Sequence, residues 1–201
     1  MTPATLTPPP ASSTGPKPYR WSAAEFHDLS DQGRFEGKRV ILLRGEILQL
    51  LAPNPHHDTG MILAAEVLTA VFRPGYVVRN QMALELSLDT DPVPDLAFVP
   101  GSARDYSNRQ PNKAVLVVEI ADTTFDYDIT IKAELYATGG IPDCWVLDVT
   151  GGRLHVFRDP ALLPASLGAT AYRTHLNLGP GDTISPLAVP TATVTIADLL
   201  P

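Results

Sequence analysis

The stretch Ala114-Val-Leu-Val-Val-Glu119-Ile-Ala121 constrains this chain more than any other. It is apolar without alternation, so a strand built from it must be covered on both faces. Such a strand belongs at the centre of a sheet, with layers packed above and below. Within it stands a carboxylate, Glu119. Burying a lone carboxylate is costly unless it is paired or bound to a cation. One segment therefore specifies a layered fold and demands a charged partner inside it.

The flanking segments supply the layers. Ser22 followed by Glu25 is a capping box, predicting a short helix from Ala23 to about Leu29. In Arg39–Leu51 two apolar runs are separated by Arg44-Gly45, the pattern of a β-hairpin. Ala52–Asp58, rich in Pro and His, is expected as a loop. Thr59–Phe72 carries apolar residues at helical spacing over a broad face. Tyr76–Arg79, Met82–Leu88 and Asp95–Val99 read as strands, with the turn-rich Asp89-Thr-Asp-Pro-Val-Pro94 between the last two. Asp126–Thr138 reads as a helix closed by Gly139-Gly140 and Pro142. Cys144–Val149 and Arg153–Phe157 form a hairpin around Gly151-Gly152, and short strands are expected from Tyr172 onward. The fold class is α/β, or α+β, with a central mixed sheet flanked by helices. No internal repeat is present.

Residues 1–18 hold six of the 20 prolines and no aromatic side chain, and they are expected to form a disordered tail before a single domain over 19–201. Hydrophobic residues make up 44% and charged residues 18%, a soluble globular balance. The apolar runs fall far short of the roughly 20 residues of a membrane span. The opening Met1-Thr-Pro-Ala-Thr-Leu6 lacks a secretion pattern, and cytoplasmic residence is expected. The single cysteine, Cys144, excludes an internal disulfide and a cysteine-built metal site. A net charge of −7 argues against a protein that coats duplex DNA non-specifically, because that binding relies on Lys and Arg. It leaves room for a nuclease whose local basic rim and bound cations meet the phosphates.

A second carboxylate, Asp95 in Val93-Pro94-Asp95-Leu-Ala-Phe98, stands at the edge of another apolar strand. If Asp95 and Glu119 come from neighbouring strands, they repel unless a cation lies between them. One or two carboxylates completed by water and substrate phosphate suit Mg²⁺ or Mn²⁺. The plain alternative is that Asp95 caps a turn and Glu119 meets an arginine. Asp128, Lys132 and Tyr136 are spaced four apart on one helix face. That face is either a solvated ion-pair surface or looks back at the sheet end carrying Glu119, where Lys132 would stabilise developing phosphate charge. Arg104, Arg109 and Lys113 flank Tyr106 in a polar loop, a candidate phosphate rim with a ring for base stacking, or simply a solvated loop. Trp145 and Tyr136 are expected in the core. No Gly-rich phosphate loop, Gly-x-Ser-x-Gly elbow or His-Glu-x-x-His is present.

Taken in order, Gly45-Glu46, a His after Asn54-Pro55, Pro94-Asp95, Val-Val-Glu119-Ile-Ala-Asp122, Asp128-x-x-x-Lys132 and Tyr136-x-x-Gly-Gly-Ile-Pro-Asp-Cys-Trp145-Val-Leu-Asp148 resemble the bacterial restriction endonuclease family often called Uma-two. That family belongs to the PD-(D/E)xK nuclease superfamily. The resemblance runs from about Trp21 to Arg158 and implies a restriction-endonuclease-like fold and metal-dependent cleavage of DNA, by a homodimer if both strands are cut. It implies Asp95 and Glu119 as ligands of Mg²⁺ or Mn²⁺, Lys132 as the superfamily lysine, Glu46 as a further acid near the site, and His57 as a substrate contact or proton carrier. Two departures stand out. The superfamily lysine ordinarily lies two residues after the second acid, which is Ala121 here, and the acidic residue often found on the approach to Gly-Glu is Ile41. They keep open a second reading, a nucleic-acid-binding or regulatory module with the same fold and no efficient cleavage. Hydrolysis of another phosphate ester is a third.

Overall fold

The computed structural model describes residues 15–50, 52, 54–162 and 170–201. Of the tail expected over 1–18, only 15–18 fall among them, and these are exposed and irregular; the remainder lies outside the described residues.

The unalternating strand, β5 (Leu116–Ala121), is buried along its whole length. It lies inside a six-stranded sheet with β3 (Tyr76–Asn80), β4 (Leu96–Pro100), β6 (Asp143–Asp148), β7 (Arg153–Leu162) and β8 (Thr170–Leu178), in the order β3-β4-β5-β6-β7-β8. Only β5 and β6 run parallel; every other neighbouring pair is antiparallel. The sheet is therefore mixed, as expected.

The pleat of β5 sorts its residues between two cores. Leu116, Val118 and Ile120 face a core built with α2 (Pro55–Phe72), whose Ala64, Leu68 and Phe72 are buried, and with Ile196 and Leu199 near the C-terminus. Phe72 stacks on Phe98 with ring centroids 4.4 Å apart. Val117 and Ala121 face the opposite core. It is closed by the hairpin of β1 (Val40–Leu43) and β2 (Glu46–Gln49), and by the helical run α3 (Phe125–Tyr127), a π-turn over Asp128–Lys132, and α4 (Ala133–Thr138). That run is the crossover demanded by the parallel β5–β6 pair. The short α1 (Ala23–Asp31) caps one end, with both hydrogen bonds of the Ser22–Glu25 capping box formed. Two-residue strands β9 (Thr183–Ile184) and β10 (Val194–Thr195) pair near the end of the chain.

Two glycines carry specific burdens. Arg44 and Gly45 both have positive φ (50° and 76°), the signature of the I′ turn that suits the right-handed twist of a two-residue hairpin. Gly60 lets α2 press onto the sheet: a Cβ there would stand 2.8 Å from Val149 Cγ1 and 3.2 Å from Ile120 Cγ2. Gly60→Val should destabilise the protein by about 1–3 kcal/mol through overpacking, more than the helix-propensity gain returns. Urea unfolding measures it, and an unchanged midpoint would show that the contact can yield.

Two expectations are corrected. The loop over Ala52–Asp58 ends early, because α2 begins at Pro55: the Asn54 side chain accepts hydrogen bonds from the His56 and His57 N–H groups, and Pro55 fills the first turn where its missing N–H costs nothing. Met82–Leu88 is not a strand. It makes isolated hydrogen bonds, Leu84 N–H to Pro92 and Leu86 N–H to Thr90. Pro92 and Pro94 opposite it have no N–H to return, so no ladder forms.

Candidate active site

Leu96 pairs with Val118 in the β4–β5 ladder, and one further step of that register sets Asp95 opposite Glu119. Glu119 lies on the same pleat face as Val117 and Ala121, beneath the crossover helix, and is 1% exposed. Its two oxygens receive different donors. Lys132 Nζ lies 2.8 Å from Oε2, and the Tyr136 hydroxyl donates to Oε1 at 2.5 Å. Lys132 also meets Asp128 at 2.9 Å, and the Asp128 carboxylate, 1% exposed, accepts from the Thr124 hydroxyl at 2.6 Å. The π-turn over Asp128–Lys132 widens the helix at this point. Such bulges recur at functional sites.

Asp95 stands just before β4 at the sheet rim. Its Oδ2 accepts the Ile120 N–H at 2.9 Å and lies 3.2 Å from His57 Nε2; its Oδ1 accepts from Gln81 Nε2 at 3.1 Å. His57 reaches it because α2 starts at Pro55, which puts the imidazole in the first helical turn. Asn54, which caps that turn, donates to Asp122, and Asp122 also accepts from the Thr150 hydroxyl at 2.6 Å.

The electrostatics follow from three carboxylates gathered near one ammonium. Burial pushes the Glu119 carboxyl up, to about 7, with Lys132 pulling it down and Asp95 and Asp128 adding to the rise. Burial alone would lower Lys132, but Glu119 and Asp128 outweigh it and hold the ammonium well above its ordinary value. Asp95 goes the other way. Burial would raise it, yet His57, the Ile120 N–H and Lys132 keep it below the usual carboxylate range. The hydrogen bond to Asp95 raises His57, against the cost of its partial burial. Asp95 is thus an acceptor and His57 Nε2–H the donor between them.

Asp95, His57, Lys132, Asn54, Asp122 and Tyr127 line one open cavity of about 400 Å³. Glu119 forms no part of its wall and is screened by Lys132 and Tyr136. The structure thus brings together Asp95, Glu119, Lys132 and His57. It does not bring Glu46, which is exposed and pairs with Arg20 at 2.5 Å, nor Arg104, Tyr106, Arg109 and Lys113, none of which lines the cavity. Their loop leaves β4 at Pro100, the opposite end of the strand from Asp95, and the Tyr106 hydroxyl is used on the Pro100 carbonyl at 2.7 Å. Sequence reasoning assigned no role of their own to Asp128 or to the hydroxyl of Tyr136, and it did not single out Gln81. Only the spacing of Asp128, Lys132 and Tyr136 hinted at two of them; nothing near Gln81 did.

The profile of the Uma2 family, described as "Putative restriction endonuclease", matches residues 23–197. Among solved structures, one described as "a putative nuclease belonging to DUF820", from Anabaena variabilis, is similar with a TM-score of 0.68 and 16% identity, covering 89% of this chain and 96% of that one. At that identity the likeness speaks for the fold alone, a mixed sheet flanked by helices. No curated protein matches the chain.

Proposed function

The chain belongs to the Uma2 family, and from that premise we propose that it is a divalent-metal-dependent endonuclease hydrolysing phosphodiester bonds in DNA. The observation that carries this reading is the facing pair Asp95 and Glu119, with Lys132 Nζ 2.8 Å from the latter, beside an open cavity. Among the described residues no group of three or more His, Cys, Asp or Glu side chains is disposed to hold a metal. A two-carboxylate set still fits Mg²⁺ or Mn²⁺, which keep several waters and take substrate oxygens as remaining ligands. The charge balance fits as well, since Asp95, Glu119 and Asp128 exceed what Lys132 neutralises. Asp95 Oδ1 and both Glu119 oxygens hold one donor each and retain acceptor capacity, whereas Asp95 Oδ2 is filled by the Ile120 N–H and His57.

Asp95 and Glu119 would hold the cation, which when bound supplies charge neutralisation for the phosphate and a more acidic water. The chain's own residues do the rest. Lys132 keeps a fixed positive charge at the cavity wall, where charge develops on a phosphate. The Ile120 N–H and Gln81 orient Asp95. His57 holds a proton at Nε2 beside the cavity, placed to contact substrate. Cutting both strands of a duplex requires two such centres, so the acting form would be a homodimer on DNA.

The test is plasmid cleavage by purified protein with Mg²⁺ or Mn²⁺. Nicking or linearisation is expected from the wild type, and none in a chelator or from Asp95→Asn. A wild type inert with both metals on duplex and single-stranded DNA, yet shifting DNA in a gel, would replace this reading with a binding module. Turnover confined to mononucleotide esters would replace the substrate. No helix among the described residues is long and apolar enough to cross a membrane.

A further inference from the structure

We propose that Gln81 is a positioning residue that clamps Asp95 from both its main chain and its side chain, and that its unusual backbone conformation is retained for this purpose. The proposal rests on the metal-dependent reading above for its functional consequence and on geometry for the clamp itself. Gln81 directly follows β3. Its N–H donates to the Asp95 carbonyl at 2.9 Å, adding one rung beyond the β3–β4 ladder, and its Nε2 donates to Asp95 Oδ1 at 3.1 Å. One residue thus holds Asp95 at its backbone and its carboxylate. The opposite oxygen, Oδ2, is fixed by the Ile120 N–H and His57. With all three in place the carboxyl plane cannot swing.

This hold has a backbone cost. Gln81 has φ +49°, the left-handed region where glycine or asparagine is at ease and a longer side chain is uncommon. The turn by itself would be served better by glycine. A glutamine here makes sense if its amide is needed, and that amide donates to Asp95. Strain of this kind clusters where a fixed geometry serves function. Partners that orient a ligating carboxylate are worth about 10–100-fold in metal affinity.

Two variants separate positioning from folding. Gln81→Gly relieves the backbone and removes the amide. Gln81→Asn tolerates the same φ but is one methylene too short to reach Asp95. Mn²⁺ binding by calorimetry should weaken about tenfold or more in both, while Tm in a chelator stays within about 2 °C of the wild type, since strain relief and unfolded-chain freedom oppose one another. Mn²⁺ affinity within twofold of the wild type overturns the proposal. So does a clear fall of Tm in both variants without loss of affinity, which would make Gln81 purely structural. If the wild type binds no Mn²⁺, the metal reading fails by itself, and the clamp is then judged by a cycle of Gln81→Gly and Asp95→Asn in chelator. Additive Tm shifts overturn it, and a clear non-additivity sustains it.

Discussion

Lys132→Met should sharply slow cleavage and lower the stability of the protein by about 3–5 kcal/mol, the cost of breaking a buried ion pair by removing one partner. The side chain is 16% exposed and its ammonium meets two carboxylates, Glu119 and Asp128, each 1% exposed. Methionine fills most of the volume, so the loss is electrostatic and not a cavity effect. Glu119 keeps the Tyr136 hydroxyl and Asp128 keeps the Thr124 hydroxyl, but neither donor carries charge. Asp95, Glu119 and Asp128 then lose their shared cation, and Glu119, already pushed up by burial, must take up a proton to relieve the repulsion. Two measurements check this. Urea unfolding in a chelator reads the stability, and Mn²⁺ should restore more of it in the variant than in the wild type, because the cation replaces the missing charge. Single-turnover cleavage should fall by at least about 10²–10³-fold, the scale of removing one fixed electrostatic stabiliser. A variant that cuts normally would show that the lysine on the crossover helix does not substitute for the one absent at Ala121. A variant that is as stable as the wild type would show that Glu119 is protonated without cost.

Arg158→Ala should be comparably destabilising, about 3 kcal/mol or more, while leaving the chemistry of any surviving folded fraction intact. Asp143 opens β6 and is 0% exposed. It accepts from Arg158 Nε at 2.8 Å and Nη2 at 3.1 Å, from Trp145 Nε1 at 2.8 Å, and from the Leu187 N–H at 2.9 Å. The same guanidinium donates to the Ser185 carbonyl at 2.7 Å. One ion pair therefore joins β6, β7 and the segment leading to the C-terminus. Alanine leaves an uncompensated buried carboxylate and an unpaired carbonyl. Calorimetric unfolding of the variant, alone and with Asp143→Asn, separates the two costs. Asp143→Asn should recover part of the loss in the Arg158→Ala background, because the orphaned charge is gone. If the double variant is no better than the single one, the penalty lies in packing and not in charge.

The elements that were legible in the chain are those whose cause is local. The Ser22–Glu25 box, the Arg44-Gly45 turn and the Gly151-Gly152 hairpin each rest on side-chain or backbone preferences acting across three or four residues. The unbroken apolar run of β5 needed no partner to declare burial on two faces. Where a segment depends on its neighbour, local preference does not decide its structure. Met82–Leu88 has the composition of a strand, but its partner is proline-rich and cannot complete a ladder. The start of α2 at Asn54-Pro55 is a recognisable helix opening, but the histidines and prolines around it have the composition of a loop.

The candidate site divides along the same line. Sequence alone singled out Asp95 and Glu119, because a carboxylate in an apolar strand is a demand for a partner wherever the strand goes. It also placed Asp128, Lys132 and Tyr136 on one helix face, since that spacing is a property of the helix. Which partner meets the demand is a matter of register and layer, and these depend on contacts between residues far apart in the chain. Only the tertiary structure set Lys132 against Glu119 and brought His57, in the first turn of α2, to Asp95. It also left Glu46 and the Arg104–Lys113 loop outside the cavity and put the Gln81 amide on Asp95. Local preference writes a residue's needs into the chain; the answer to them is decided by packing.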